Sequence, residues 1–314
     1  MTVKTLAKGL ATWIPGVHRT FANPKTGLGT GTASYSYGVW MKHLVLLWQH
    51  GMRHIPRTVV ELGPGTSVGT GLAALLTGAE RYVGIDAIAH ADTGTNVQVF
   101  HELLRLFRNR APRPTAGYPS YDQYLDERLF PSSILTGERL VAALARERVG
   151  RLEGAVRALG ADTPRPEICY QPWARPDCIG AAQADLVFSH VAMNQVEDLE
   201  GAYGRCARWL RPGGWMSHQI DLTSLEITPE WNGHRRYGDL AWKIISGRRP
   251  YFINREPAGT HLRVIEESGF EIIDAIRGFR RHGGISRAEH AERFRSFSDE
   301  DLATQSLFVI ARRR

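Results

Sequence analysis

The chain is poor in cysteine and has no long apolar run, and each shortage excludes a class of protein. Its 314 residues include three cysteines without metal-ligand spacing, which favours a reducing compartment and predicts no disulfide bonds. No apolar segment approaches the roughly 18 residues that span a bilayer. The first residues also lack the continuous apolar core of a secretory signal. The sequence therefore predicts a cytoplasmic protein that does not insert into a membrane.

Signatures of several common enzyme classes are also absent from the sequence. There is no zinc, nucleotide-phosphate, serine-hydrolase or kinase motif, and we predict no bound metal. The net charge of +7 favours an anionic substrate or partner, unless arginine is simply spread over the surface. Because no basic run is interleaved with aromatic residues, nucleic acid is not the expected partner.

The most informative segment runs from Thr58 to Asp86. It contains a short apolar strand (Val59–Leu62), a glycine turn (Gly63–Gly65), an apolar helix (about Val68–Leu76) and a second strand ending at Asp86. This order is half of a nucleotide-binding βαβ unit. An acid at the end of the second strand is placed to accept hydrogen bonds from a ribose diol.

The glycine spacing separates two kinds of nucleotide ligand. Gly63, Gly65 and Gly69 give GxGxxxG, whereas the turn that binds a pyrophosphate has the spacing GxGxxG. The segment therefore argues against an NAD-dependent oxidoreductase and favours a nucleoside ligand without phosphate.

Alternating strands and helices continue along the chain and predict an α/β fold with a doubly wound, mostly parallel sheet. An N-terminal helical segment (1–57) precedes a domain (58–314) with two helical insertions, at about 87–166 and 224–257. The first insertion is a candidate lid and the second is expected on the acceptor side. The remaining predicted strands are Ile168–Gln171, Asp185–Ser189, Met216–Asp221, Glu271–Ile276 and Ser306–Ala311.

The string ELGPG, followed by Asp86, resembles motif I of the class I S-adenosylmethionine-dependent methyltransferases. The strand pattern is similar to that family's seven-stranded, Rossmann-like sheet, whose last strand is antiparallel. The resemblance covers Thr58–Asp86, Glu167–Thr223 and the C-terminal strands. The segments LRPGGWMSHQIDL and WNGHRRYGD also resemble a bacterial subgroup associated with polysaccharide and natural-product gene clusters.

This resemblance implies that S-adenosylmethionine is the cofactor. It places Glu61, Gly63 and Gly65 against the methionine part and Asp86 against the ribose. Ser189 is a further candidate contact. Trp173 is expected to stack on the adenine, with the alternative that it only caps the core.

Two histidines at strand ends are candidate general bases for a hydroxyl acceptor. His190 follows the fourth strand and His218 lies within the fifth, and neutral imidazole accepts protons near pH 7. For each, the alternative is a structural histidine. Gln195 stands where relatives often carry a histidine, so no catalytic role transfers to that position.

The acceptor is expected to contact the second insertion. Asp221 closes the fifth strand, and Arg235, Arg236 and Arg255 lie among aromatic residues, an arrangement that suits a small polar acceptor of sugar-like or anionic character. The expected reaction is methyl transfer to an oxygen of a sugar or secondary-metabolite intermediate. A non-catalytic S-adenosylmethionine-binding protein and methylation of a macromolecule stay open as alternatives, as does a homodimer.

Overall fold

The computed structural model describes residues 3–14, 30–88, 91–114, 129–160, 165–174, 178–249 and 252–314. Parts of both predicted insertions therefore lie outside the described residues.

A single seven-stranded sheet organises the described chain. Its order is β3-β2-β1-β4-β5-β7-β6, and only β7 runs antiparallel to its neighbours. The predicted α/β fold with a mostly parallel, doubly wound sheet is therefore confirmed. The strands are β1 (Thr58–Leu62), β2 (Arg81–Asp86), β3 (Ile168–Pro172), β4 (Ala184–His190), β5 (Leu210–Asp221), β6 (Phe270–Phe279) and β7 (Thr304–Arg313).

Helices cover both faces of the sheet. They are α1 (Val3–Ala11), α2 (Ala33–Gln49), α3 (Gly69–Leu76), α4 (Thr93–Arg108), α5 (Gly137–Ala143), α6 (Arg146–Arg157), α7 (Leu199–Trp209), α8 (Asp239–Ser246), α9 (Ala258–Glu267), α10 (Glu292–Arg295) and α11 (Asp299–Ala303). Short 3-10 turns lie at Met193–Gln195, Gly233–Arg236 and Arg287–Glu289.

Two hydrophobic cores lie on opposite faces of the sheet. Successive side chains of a strand point to opposite faces, and Val59 of β1 belongs to the core with α2, α3 and α4, whereas Val60 belongs to the core with α7 and α9. Burial on both faces explains why these strands are apolar without alternation.

The helix α2 is part of the first core rather than a peripheral segment. Trp40 is fully buried, and its indole nitrogen donates to the Thr77 hydroxyl at the end of α3 (2.8 Å). The Thr32 hydroxyl caps the first turn by accepting from the Tyr35 amide. The helix α2 thus packs directly against one face of the sheet as part of its hydrophobic core.

Two local sequence patterns give predictions that differ from the structure. The segment Gly137–Leu159, rich in Ala, Arg and Glu, predicts one helix, but the structure divides it into α5 and α6, because Ala145 between them has a non-helical conformation with φ −55° and ψ 139°. The sequence RPGGW at Arg211–Trp215 predicts a turn, but this segment lies within β5, where the pairing with β4 shifts register. Gly213 has a φ of +72° there, a conformation that glycine adopts without steric cost.

The strand order reverses between β2-β1 and β1-β4, and this position decides where a ligand can bind. The carboxyl ends of β1, β2, β4 and β5 meet at one edge of the sheet, which we call the carboxyl edge. Ligands of open α/β sheets bind outside such an edge at the reversal point. Of the predicted site residues, Asp86, His190 and Asp221 are the last residues of β2, β4 and β5 and so lie at this edge.

Candidate functional site

The glycine turn and Asp86 form the centre of the carboxyl edge. The Gly65 amide donates to one Asp86 carboxylate oxygen (2.9 Å), and the Ala87 amide donates to the other (2.7 Å). Gly63 and Gly65 have φ values of +71° and +78°, which other residues adopt only with strain. A Cβ on Gly63 would lie 2.5 Å from the Ala192 Cβ. Glycine is thus required by the conformation of the turn and, at Gly63, by close packing.

Glu61 has a different place from the one that the resemblance implied. Its side chain is 3% exposed and accepts a hydrogen bond from the Tyr82 hydroxyl (2.6 Å). Burial raises its pKa to about 8, against the opposing effect of hydrogen bonds from Tyr82, Thr70 and the Gly71 backbone. The carboxyl group therefore lies inside the protein behind the turn. Direct contact with a methionine moiety is not what this position supports.

The end of β3 places Trp173 beside Asp86. The Trp173 amide donates to the Asp86 carbonyl (2.6 Å), and its ring lies edge-on to Trp209 of α7. The Arg205 guanidinium lies 4.5 Å from the centre of the Trp173 ring. The ring thus packs on α7, as the core-capping alternative requires, while it remains partly exposed at the edge.

The cysteines correct the prediction that the chain has no disulfide. Cys169 of β3 and Cys178 of the following loop are disulfide-bonded, with Cα atoms 6.3 Å apart, a separation typical of disulfides. Cys206 is free and buried. The number of cysteines alone does not identify this pair, because only the folded chain shows which cysteines lie within bonding distance. The bridge closes the loop that contains Trp173.

Ser189 and His218 form a buried pair on neighbouring strands. The Ser189 hydroxyl lies 2.8 Å from His218 Nδ1, and both side chains are fully buried. Burial lowers the pKa of His218 to about 3, so the imidazole is neutral at pH 7. His218 is paired one residue below the end of β4 and faces Tyr203 of α7. In this position His218 makes structural contacts and is buried away from an acceptor.

His190 lies at the carboxyl edge itself, as the last residue of β4. It is 6% exposed, and its ring is in edge contact with Tyr35 and His43 of α2. Burial, together with the neighbouring Lys42 and His43, holds the pKa of His190 well below 6.5. Its imidazole is therefore neutral, which is the form that accepts a proton.

Lys42 is a buried cationic group of this edge that the sequence did not assign to the site. Its ammonium donates to the Gln219 side-chain oxygen of β5 (2.7 Å) and lies 5.4 Å from the centre of the Phe308 ring. The side chain is 1% exposed, and burial lowers its pKa to about 7. The available signal was the interruption of the apolar α2 face by Lys42 and His43.

The four residues expected to bind the acceptor lie in three different places. Asp221 and Arg255 line one small cavity at the end of β5. Arg236, in contrast, is held at the surface by ion pairs with Glu230 and Glu289 (3.0 Å each).

Arg235 lies in the third place, inside the protein. It is fully buried, its Nε donates to the Arg255 carbonyl (3.1 Å), and its pKa is lowered by burial to about 10. Arg235 stays charged at pH 7 and supports the backbone of Arg255.

Two further features of the described residues concern membranes and metals. No helix in the described ranges is long and apolar enough to cross a bilayer. Within the same ranges, no group of three His, Cys, Asp or Glu side chains is arranged to hold a metal ion.

Comparisons with known proteins agree with the predicted enzyme class. A sequence model described as a methyltransferase domain matches residues 178–217, which include β4, α7 and the start of β5. The match supports the enzyme class and the cofactor that the sequence predicts, those of an S-adenosylmethionine-dependent methyltransferase. No curated protein sequence matches the chain.

Solved structures align with the chain at low sequence identity and low TM-score. An S-adenosylmethionine-dependent methyltransferase of Mesorhizobium loti is 17% identical, with 87% of this chain and 98% of that chain covered and a TM-score of 0.41. Phosphoethanolamine N-methyltransferase 2 of Haemonchus contortus, in complex with S-adenosylmethionine, is 15% identical, with 94% and 60% covered and a TM-score of 0.46. Similarities this distant say nothing about the acceptor.

Proposed function

We propose that the protein transfers a methyl group from S-adenosylmethionine to a hydroxyl oxygen of a small polar acceptor, a sugar or a secondary-metabolite intermediate. The observation that carries the proposal is the carboxylate of Asp86 above the glycine turn, at the point where the strand order reverses. A second carboxylate, Asp221, and a neutral histidine, His190, lie on the same edge.

The residues present fit the cofactor. The Asp86 carboxylate, half-buried at the end of β2, suits a ribose diol, since a buried carboxylate accepts strong hydrogen bonds from hydroxyls. Gly63 and Gly65 keep the backbone free of Cβ atoms where the methionine part would approach. Trp173 offers a partly exposed ring edge for the adenine. In this proposal Glu61 and Ser189 act indirectly, by supporting the turn and the end of β4.

The bound cofactor supplies an electrophilic methyl group on a sulfonium, and the thioether that leaves is neutral. The protein therefore has no leaving group to protonate, and its work is to orient the acceptor and to remove one proton from the hydroxyl. We assign that proton to the imidazole of His190, which is neutral and stands at the edge. His218 is the second choice because its Nδ1 is already engaged by Ser189.

Lys42 and His43 support this role of His190. A positive charge on Lys42 disfavours a second charge on the adjacent imidazoles, which keeps His190 unprotonated in the resting protein.

Calorimetry with S-adenosylhomocysteine tests the cofactor site. Asp86→Asn should weaken binding by about 10- to 100-fold, the loss of about 1.5 to 3 kcal/mol for hydrogen bonds to a charged group. Glu80→Gln is the matched control, because Glu80 precedes the same strand at the opposite edge and is exposed in an ion pair with Arg57. Equal affinities of the two variants would refute the assignment of Asp86, and no binding by the wild type would refute the function.

A further inference from the structure

A small polar cavity lies at the end of β5. It has a volume of about 10 Å³ and is lined by Asn194, Asp221, Leu222, Thr223, His234, Ile253, Asn254, Arg255 and Glu256. A space of about 10 to 15 Å³ holds one water molecule. The cavity is therefore large enough for one oxygen atom and its hydrogens, and it lies at the end of β5 at the carboxyl edge.

Asn194 directs an amide into this cavity without internal partners. The residue is 3% exposed, and neither its side-chain oxygen nor its nitrogen has a hydrogen-bond partner among the described residues. Leaving one buried polar atom unpaired costs about 1 to 3 kcal/mol, so a native protein rarely keeps two on one side chain unless a ligand or water completes them.

The backbone that carries this side chain is held in place by Asn254. The Asn254 backbone amide donates to the Asn194 backbone carbonyl (2.7 Å), and the Asn254 side chain donates to the carbonyls of Met193 and Val196 (2.8 Å each). The 3-10 turn that carries Asn194 is thus fixed on both sides. An unpaired side-chain amide on a fixed turn resembles a prepared binding group more than a packing defect.

Two other side chains complete the polar lining. His234 is 1% exposed, and its Nδ1 has no partner in the described chain. The Asp221 carboxyl accepts from the Thr223 amide (2.8 Å), and burial raises its pKa above the ordinary value. The cavity therefore presents donors and acceptors together.

The terminal nitrogens of the cavity's arginine are engaged, whereas its buried Nε has no hydrogen-bond partner among the described residues. Arg255 donates to the Asp239 carboxylate (2.7 Å) and to the Tyr237 carbonyl, and its φ of +77° is a strained conformation for a non-glycine residue. An anionic group in the cavity would face Asp221 and the Asn194 oxygen. A neutral hydroxyl, which both donates and accepts, matches the lining better.

From this arrangement we infer that Asn194, His234 and Asp221 form a subsite for a neutral hydroxyl group of the acceptor. The inference rests on the proposed function and narrows its acceptor class to a polyol, such as a neutral sugar, rather than a uronate. Asn194 is a specificity residue here: its amide nitrogen donates to the hydroxyl oxygen, and its amide oxygen accepts the hydroxyl's one hydrogen.

The decisive variant is Asn194→Leu, which keeps the number and branching of the side-chain heavy atoms and removes both unpaired polar atoms. If the amide serves a ligand, the variant should unfold at the same temperature as the wild type or higher. Asn96→Leu is the matched control: Asn96 is also buried, but its oxygen accepts from the Val68 amide (3.0 Å), so its loss should lower the melting temperature.

Binding is measured by saturation-transfer NMR on protein saturated with S-adenosylhomocysteine. The probes are methyl α-glucopyranoside, which is neutral, and methyl α-glucuronide, which is anionic. We expect saturable binding of the neutral probe to the wild type, weaker binding of the glucuronide, and a loss of about tenfold or more in Asn194→Leu, since a pair of buried hydrogen bonds is removed.

Several results would overturn the inference. They are no saturable binding of the neutral probe, tighter binding of the glucuronide, unchanged binding in Asn194→Leu, or a melting temperature of Asn194→Leu as low as that of Asn96→Leu. S-adenosylhomocysteine binding by the wild type separates the two levels: its absence would refute the proposed function itself, and its presence confines any failure to the subsite.

Discussion

The buried carboxyl of Glu61 gives the sharpest quantitative prediction. Its pKa is about 8 in the folded protein, against 4.5 ordinarily. That difference of about 3.5 corresponds to about 5 kcal/mol, at about 1.4 kcal/mol for each pKa unit. Because the side chain is only 3% exposed, solvent screening reduces this figure little.

The sign follows from proton linkage. The folded protein keeps the Glu61 proton up to pH 8, whereas the unfolded chain releases it near pH 4.5. Between these values the folded state binds more protons, so the stability that this proton contributes is complete below pH 4.5 and is lost as the pH rises through 8. Between pH 5 and pH 9 the loss should be about 4 kcal/mol.

Glu61→Gln tests this directly, because glutamine keeps the shape and cannot ionise. Urea unfolding of both proteins at pH 5, 6, 7, 8 and 9 gives the difference in unfolding free energy, in which all other titrating groups cancel. The wild type should lose stability relative to Glu61→Gln as the pH rises. Glu80→Gln, at an exposed carboxylate, is the control substitution.

A difference between wild type and Glu61→Gln that stays constant within about 1 kcal/mol from pH 5 to pH 9 would refute the burial argument, as would a change of the opposite sign. The same variant also tests the role of Glu61 behind the turn: its affinity for S-adenosylhomocysteine should stay within about twofold of the wild type, since no direct hydrogen bond to the ligand is lost. A much larger loss would restore direct contact with the methionine part.

Two further predictions use groups that the fold brings together. Lys42→Met removes an ammonium whose pKa is lowered to about 7. Because folding disfavours the charge on Lys42, urea unfolding should show the wild type gaining about 2 kcal/mol of stability relative to the variant between pH 7 and pH 9. A difference in unfolding free energy that does not change with pH would contradict the burial of Lys42. Alkylation and mass spectrometry without reductant should find Cys169 and Cys178 linked and Cys206 reduced, and prior reduction should weaken S-adenosylhomocysteine binding more in the wild type than in Cys169→Ser, whose loop is already open. Free thiols at both positions in protein purified without reductant would exclude the bridge.

Much of the fold was predictable because its signals are local. Strands buried on both faces are short apolar runs, the turn after β1 needs glycine at positive φ, and an acid closes β2. Elements of this kind depend on neighbouring residues, so the strand positions followed from the sequence, and the ligand site at the carboxyl edge stays a prediction. The boundaries were less certain, as the division of α5 from α6 shows, because a single non-helical residue ends a helix.

The roles of individual side chains depended on contacts between distant parts of the chain. Lys42 meets Gln219 across 177 positions, and Ser189 meets His218 on another strand. No local pattern encodes such pairs, because only packing brings them within hydrogen-bonding distance. The same holds for the Glu61 carboxyl, which a motif places at a turn and the fold encloses behind it.

The sequence by itself determined where the apolar strands lie along the chain. It also determined the glycine turn after β1 and the acid that ends β2, because steric limits and hydrophobic burial act on adjacent residues. Only the tertiary structure decided which polar groups are paired, which are charged and which, like Asn194, are left to a ligand. Those properties depend on the dielectric surroundings and on partners that the chain reaches only after it has folded.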